Sequence, residues 1–153
     1  MKRLRMLIES VNLLLFEFDE QHLNSMVLGT WKKTPSGIEV EGSVKILPFA
    51  VQNGKIKYKF TKVSGLFDCS DLQLTSLENC PKEVHNFNCM NNSLRSYQYG
   101  PTIVHGDINC TLNQLENFKY FPKKIGGSLL ANMNMLEDVE DIPEIGLEYL
   151  YSL

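Results

Sequence analysis

Between Val63 and Pro143 apolar and polar positions recur in one order, four times, at steps of 20 or 21 residues. Pro81, Pro101, Pro122 and Pro143 occupy one place in the unit, and Leu74, Leu94, Leu115 and Leu136 another. A period this short marks a solenoid. Within a unit, apolar residues two apart, such as Phe87 with Cys89 or Ile108 with Cys110, fit a short strand that turns both side chains to one face. Val63 and Phe67, Val84 and Phe87, Val104 and Ile108, and Ile125 and Leu129 lead into that place in each copy, three or four residues apart. Leu77, Tyr97, Phe118 and Val139 follow after each leucine.

One unit cannot close a core. It offers a handful of inward side chains against a backbone ordering cost of ~1–2 kcal/mol for each of about twenty residues. Coils stacked roughly 4.8 Å apart solve this, because each inward residue then meets its counterparts above and below. In register, Cys69, Cys89, Cys110 and Ala131 form one inner column and Asn92, Asn113 and Asn134 a second. A buried amide at a turn must spend donor and acceptor on backbone groups. The first unit has Leu72 in that place, so its turn is expected to differ, with Asp71 standing in.

The flanks read differently. Leu4, Leu7, Ile8, Val11, Leu14, Leu15 and Phe18 follow helical spacing and predict a helix over residues 3 to 18 that covers the exposed edge of the first coil. Trp31 lies between that helix and the turn-like Pro35-Ser36-Gly37, where a lone large ring reads as packing. Ile38, Val40, Val44 and Ile46 alternate as a strand broken at Gly42-Ser43. Asn53-Gly54, flanked by apolar residues, predicts a hairpin with a type I′ turn. Residues 38 to 60 therefore read as a β-rich cap. After Pro143, the alternation Ile145, Leu147, Tyr149 suggests a partial last strand, with Tyr149, Leu150, Tyr151 and Leu153 over the open edge. The expected division is 1–62 (helix and β cap), 63–143 (four coils) and 144–153 (C-terminal cap).

Val84-x-x-Phe87-x-Cys89-x-x-Asn92-x-Leu94, with its copy from Val104 to Leu115, resembles the leucine-rich repeat. The proline closing each unit is similar to the short bacterial subtype. Val40, Gly42, Val44 and Ile46 echo Val63, Gly65, Phe67 and Cys69 as a degenerate earlier copy. The Cys–Asn–Leu spacing behind a Trp-containing leader also resembles small repeat proteins of large tailed bacteriophages. The resemblance implies a leucine-rich-repeat-like β-solenoid with one parallel strand per coil, to which the flanks read above add an N-terminal helix and a β-hairpin cap. It also implies a concave sheet face that binds other proteins.

Bulk composition narrows the function. With 153 residues, 43% of them apolar and 22% charged, the chain is one ordinary globular domain. A net charge of −3 and few clustered Lys or Arg argue against nucleic acid as a partner, since only Lys55, Lys57, Lys59 and Lys62 form a dense run. Met1-Lys2-Arg3-Leu4-Arg5 starts like a secretory signal. However, Glu9, Ser10 and Asn12 interrupt the apolar run, and Leu13 to Phe16 is too short to span a bilayer. The expectation is a cytoplasmic protein with four reduced thiols and no membrane partner; if phage-encoded, it works in the cytoplasm of the bacterial host.

Chemistry finds few candidates. His85 with Cys89 and His105 with Cys110 lack the paired two-to-four-residue spacing of structural zinc, and the cysteines fall one per coil where packing explains them. Cys80 shares the place before proline with Gly100, Phe121 and Ile142. His85 and His105 are expected at solvent-facing bends, away from any nucleophile. Gly126-Gly127 matches Gly65 and Gly106 and needs no phosphate to explain it. No cofactor or metal is implied.

The outward strand positions beside each inner residue are Asp68 and Ser70, Asn88 and Met90, Asn109 and Thr111, and Leu130 and Asn132. They make a mostly uncharged face about four strands wide, near 20 Å by strand spacing, suited to a protein contact. Tyr99 and Tyr120, stacked at equivalent positions on the far side, form a second patch. The resulting expectation is a non-enzymatic module that binds and inhibits a bacterial host enzyme or defence protein. One alternative is a packaged virion protein whose leader is cleaved after Glu9, because Leu7-Ile8-Glu9 resembles the T-even prohead protease signal, as do Leu15-Phe16-Glu17 and Ile142-Pro143-Glu144. The other is a thiol-dependent enzyme.

Overall fold

The computed structural model describes residues 1–137, 140–146 and 150–151, the backbone alone at 12–18 and 150–151. A 25-residue helix, α1 (Lys2–Met26), opens the chain and runs eight residues past the predicted end. An antiparallel hairpin follows, β1 (Val27–Thr34) and β2 (Gly37–Lys45), joined through Pro35-Ser36. Strand β1 was not anticipated: its residues are mostly exposed, so it lacks the apolar alternation that betrays a half-buried strand.

Strand β2 runs unbroken through Gly42. Gly29 and Gly42 face each other across the hairpin with φ of 134° and 131°, and a Cβ on either would sit 2.1 Å from a carbonyl oxygen of the other strand. The glycines let the two backbones close up and do not end the strand.

From β2 onward the chain is a β-solenoid of about five turns. Strand β2 pairs in parallel with β5 (Phe60–Asp68), and β5 with β6 (Glu83–Asn88). Between β2 and β5 lie a 3-10 turn (Pro48–Ala50) and the two short strands β3 (Val51–Gln52) and β4 (Lys55–Ile56). Asn53 (φ 52°) and Gly54 (φ 72°) link those strands with the expected turn.

Beyond β6 each coil carries two short strands in place of one. These are β7 (Ile103–Val104) with β8 (Ile108–Asn109), β9 (Lys124–Ile125) with β10 (Leu129–Leu130), and β11 (Glu144–Ile145) with β12 (Leu150–Tyr151). All stack in parallel, coil on coil. The glycines lie at the break between the two strands: a Cβ on Gly127 would meet Asp107 Oδ1 at 2.2 Å. Side-chain acceptors replace ladder carbonyls there, with Ser43 Oγ, Asn86 Oδ1 and Asp107 Oδ1 taking the N–H groups of Leu66, Asp107 and Ser128 in the coil above.

The inner columns form as the period requires. Cys69, Cys89 and Cys110 are fully buried and Ala131 nearly so, and their backbones continue the ladder through Cys69 N–H to Asn88 O, Cys89 N–H to Asn109 O, and Cys110 N–H to Leu130 O. Asn113 Nδ2 donates to Cys89 O (3.0 Å) and Cys110 O (3.1 Å), and its Oδ1 accepts from Leu94 N–H (3.1 Å). Asn92 and Asn134 repeat this geometry.

Asp71 does not stand in for the missing amide. It is exposed, and its carboxylate accepts a bond from Asn91 Nδ2 (2.7 Å), while Leu72 packs against the core. Without an amide reaching down from Leu72, the coil beneath leaves the regular path into the 3-10 turn and the β3–β4 hairpin. The hairpin tip is held instead by Gly54 O, which accepts from Thr75 and Ser76 N–H.

The ends also depart from expectation. The edge of β2 is covered by β1, not by α1, which meets the body through its last turns at the buried Leu23 and Met26. Trp31 is half-buried against the core and donates to Asn24 Oδ1 (2.7 Å). Val139, Leu147, Tyr149 and Leu153 lie outside the described residues, although the backbones of β11 and β12 carry the ladder one partial coil past Pro143.

Candidate functional site: the outward sheet face

Parallel pairing lines up the outward residues in columns. Asp68, Asn88, Asn109 and Leu130 are consecutive register partners. Ser70, Met90, Thr111 and Asn132 follow two residues later, where Asp71, Asn91 and Leu112 N–H bond to Met90, Thr111 and Asn132 O. Ser70 is buried and the other seven are half-buried.

Most of the polar acceptors in the first column are already used at home. Asn88 Oδ1 accepts from Met90 N–H and Asn109 Oδ1 from Thr111 N–H, each at 3.1 Å. Asp68 Oδ1 accepts from Ser70 N–H (3.0 Å) and Oγ (2.7 Å). These side chains close small turns at the strand ends. Leu130 cannot do so and leaves an apolar spot in the column.

The expected columns are flanked by charge that the repeat reading did not include. Ahead of these columns stands a row of alternating charge, in which Lys32 pairs with Glu39 (3.0 Å), Lys62 with Glu83 (3.3 Å) and Lys124 with Glu144 (3.3 Å), all across neighbouring strands. His105 Nε2 lies 3.0 Å from Glu83 Oε1. The His105 contact, with Lys62 beside it, holds the Glu83 carboxyl below its usual range. Lys45 donates to Asp68 Oδ2 at 2.7 Å. Burial alone would raise the Asp68 carboxyl, but the bonds from Lys45 and Ser70 outweigh it and lower it below the ordinary value. The signal was present in the sequence as Lys62, Glu83 and Lys124, each one residue before the first inward apolar position of its coil. The sheet is also wider than four strands: seven strands from β1 to β11 span about 29 Å at 4.8 Å per step.

Two columns of left-handed corners frame the face. One holds Asp71, Asn91, Leu112 and Met133 with φ of 53–60°, and the other Asn79, Tyr99, Tyr120 and Asp141 with φ of 61–74°. Asn and Asp tolerate this conformation, whereas Leu, Met and Tyr do so at a cost. Yet Leu112 is 40% exposed and Met133 71%, so neither is held there by the core. Tyr99 and Tyr120 occupy equivalent exposed corners. Lys119 Nζ stands 5.2 Å over the Tyr120 ring.

The remaining chemistry is internal. Burial pushes the Cys110 thiol up to about 12 and raises Cys69 and Cys89 well above the usual thiol range. Their side chains lie wholly inside the inner column. The Tyr97 hydroxyl is fully buried and has no hydrogen-bond partner. An open depression of about 590 Å³ runs past Ile103, His105, Phe121 and Lys124, with His105 already engaged by Glu83. Among the described residues no group of three or more His, Cys, Asp and Glu side chains could hold a metal ion, and no helix is long and apolar enough to cross a membrane. No family model matches the chain, and no curated protein or solved structure matches it either.

Proposed function

We propose that this chain is a non-enzymatic binding module that engages a protein through the outward face of its sheet. In this reading it is a short leucine-rich-repeat protein. The observation that carries the reading is the pair Leu112 and Met133. Two large apolar side chains are exposed directly after Thr111 and Asn132 of the second column, in a backbone conformation that favours Asn or Gly. Nothing within the fold requires them there, and a partner that buries them supplies the reason. Met90 and Leu130 extend the apolar character onto the sheet, and the alternating ion pairs give the contact a polar border.

The finer reading follows the repeat likeness: a phage-encoded protein that blocks a bacterial enzyme or immune sensor by covering it, in the host cytoplasm. Capture from bacterial lysate with immobilised protein tests it. The expected result is one partner whose affinity falls at least tenfold for Asn88→Arg, Asn109→Arg and the pair Leu112→Asn with Met133→Asn. It should be unchanged for Lys59→Ser on the hairpin-bearing coil. A partner indifferent to all three sheet-face changes would sink the proposal.

A further inference from the structure

Helix α1 presents an apolar stripe that nothing in the fold covers. Every residue from Met1 to Val11 is exposed, including Leu4 (62%), Leu7 (62%) and Val11 (47%). The spacing 4, 7, 11 is that of a heptad seam, and the sequence continues it at Leu14 and Phe18. A helical segment that touches only water is marginal at this length, because helices in proteins draw most of their stability from packing an amphipathic face.

The charges identify what packs on it. Lys2, Arg3 and Arg5 stand at the amino end of α1, while Glu17, Asp19 and Glu20 fall toward its carboxyl end; no acidic residue occupies the first turn and no basic residue the last. This order opposes the helix dipole and so works against an isolated helix. A second copy of the same helix, laid antiparallel, reverses the balance: each basic amino end then lies against an acidic carboxyl end, and the two seams face each other.

We propose that two copies of this chain associate through an antiparallel pair of α1 helices crossing near Val11. The contact uses neither the sheet face nor its corners, so it stands or falls apart from the binding role above.

Analytical ultracentrifugation of the full chain between about 1 and 100 μM tests it. The wild type sediments as a dimer. Lys2→Glu with Arg3→Glu and Arg5→Glu weakens association at least about 50-fold by turning attractive pairs into repulsive ones. Mixing that variant with Glu17→Lys/Glu20→Lys restores the dimer as a heterodimer. Nitroxides on Lys2→Cys, the buried native thiols staying unlabelled, lie about 30 Å apart in the antiparallel arrangement. The β-sheet circular dichroism signal stays unchanged throughout, which separates lost pairing from lost folding. A monomer at 100 μM, a dimer indifferent to the triple reversal, or nitroxides closer than about 20 Å would overturn the proposal. So would a monomer that instead binds anionic phosphatidylserine vesicles, which would make lipid the occupant.

Discussion

Each amide in the column Asn92, Asn113 and Asn134 serves two coils at once, its oxygen taking an N–H from the coil below and its nitrogen bonding a carbonyl on either level. Removing one strands several buried backbone groups at ~1–3 kcal/mol each. Asn113→Ala is expected to cost about 3 kcal/mol in urea unfolding, and exposed Gln114→Ala only a few tenths. The Tyr97 hydroxyl is the opposite case, a buried group with nothing to bond. Tyr97→Phe should raise stability by about 1 kcal/mol in the same assay, because it deletes an unmet desolvation cost. The thiols, with Cys110 raised to about 12, should resist alkylation at pH 8 and react only on unfolding, as mass spectrometry of iodoacetamide-treated protein would register. The amide and thiol columns were readable from the chain because a fixed period puts like residues at like positions. The orphaned hydroxyl was not, since whether Tyr97 finds a partner depends on side chains of neighbouring coils.

Among the elements, the Asn53-Gly54 hairpin could be read from two residues because its turn demands positive φ at both. Strand β1 could not, because an edge strand that is mostly exposed need not alternate. The corners fall between these cases: Asp71, Asn91 and Asn79 fit left-handed backbone, but Leu112, Met133, Tyr99 and Tyr120 give no local sign of it, and only the period places them. Leu112→Asn should therefore stabilise the free protein by roughly 0.5–1 kcal/mol while weakening partner binding, a split that thermal unfolding and a binding titration would separate. Strand β5 carries part of the pH dependence. Asp68 titrates below its unfolded value of 3.8, so its contribution is complete above about pH 4 and is lost as pH falls through the lower folded value. Asp68→Asn should flatten the stability curve between about pH 4 and pH 2, as urea midpoints across that range would record.

At the scale of the whole molecule, a solenoid is held together by nearest neighbours, and its ends decide whether it stays soluble. The antiparallel strand β1 closes the amino-terminal end, carrying exposed Lys32 and Lys33 and a positive φ at Gly29. These features keep a strand edge from recruiting other chains. Beneath β1, strand β2 would offer a continuous open edge if β1 were removed, with Val40 and Val44 in the core. The helix and β1 should therefore separate under truncation. Deleting residues 2–11, all exposed, should leave the unfolding midpoint within about 2 °C of the full chain, because no core contact is lost. Deleting residues 1–36 strips β1, leaves one edge of β2 unpaired along its length while the other stays on β5, and should give a protein that aggregates on refolding, visible as light scattering at micromolar concentration. If the second truncation stayed monodisperse, β1 would be an ornament and the coils would close their own end. If the first lost its β-sheet signal, α1 would be part of the core despite its exposure.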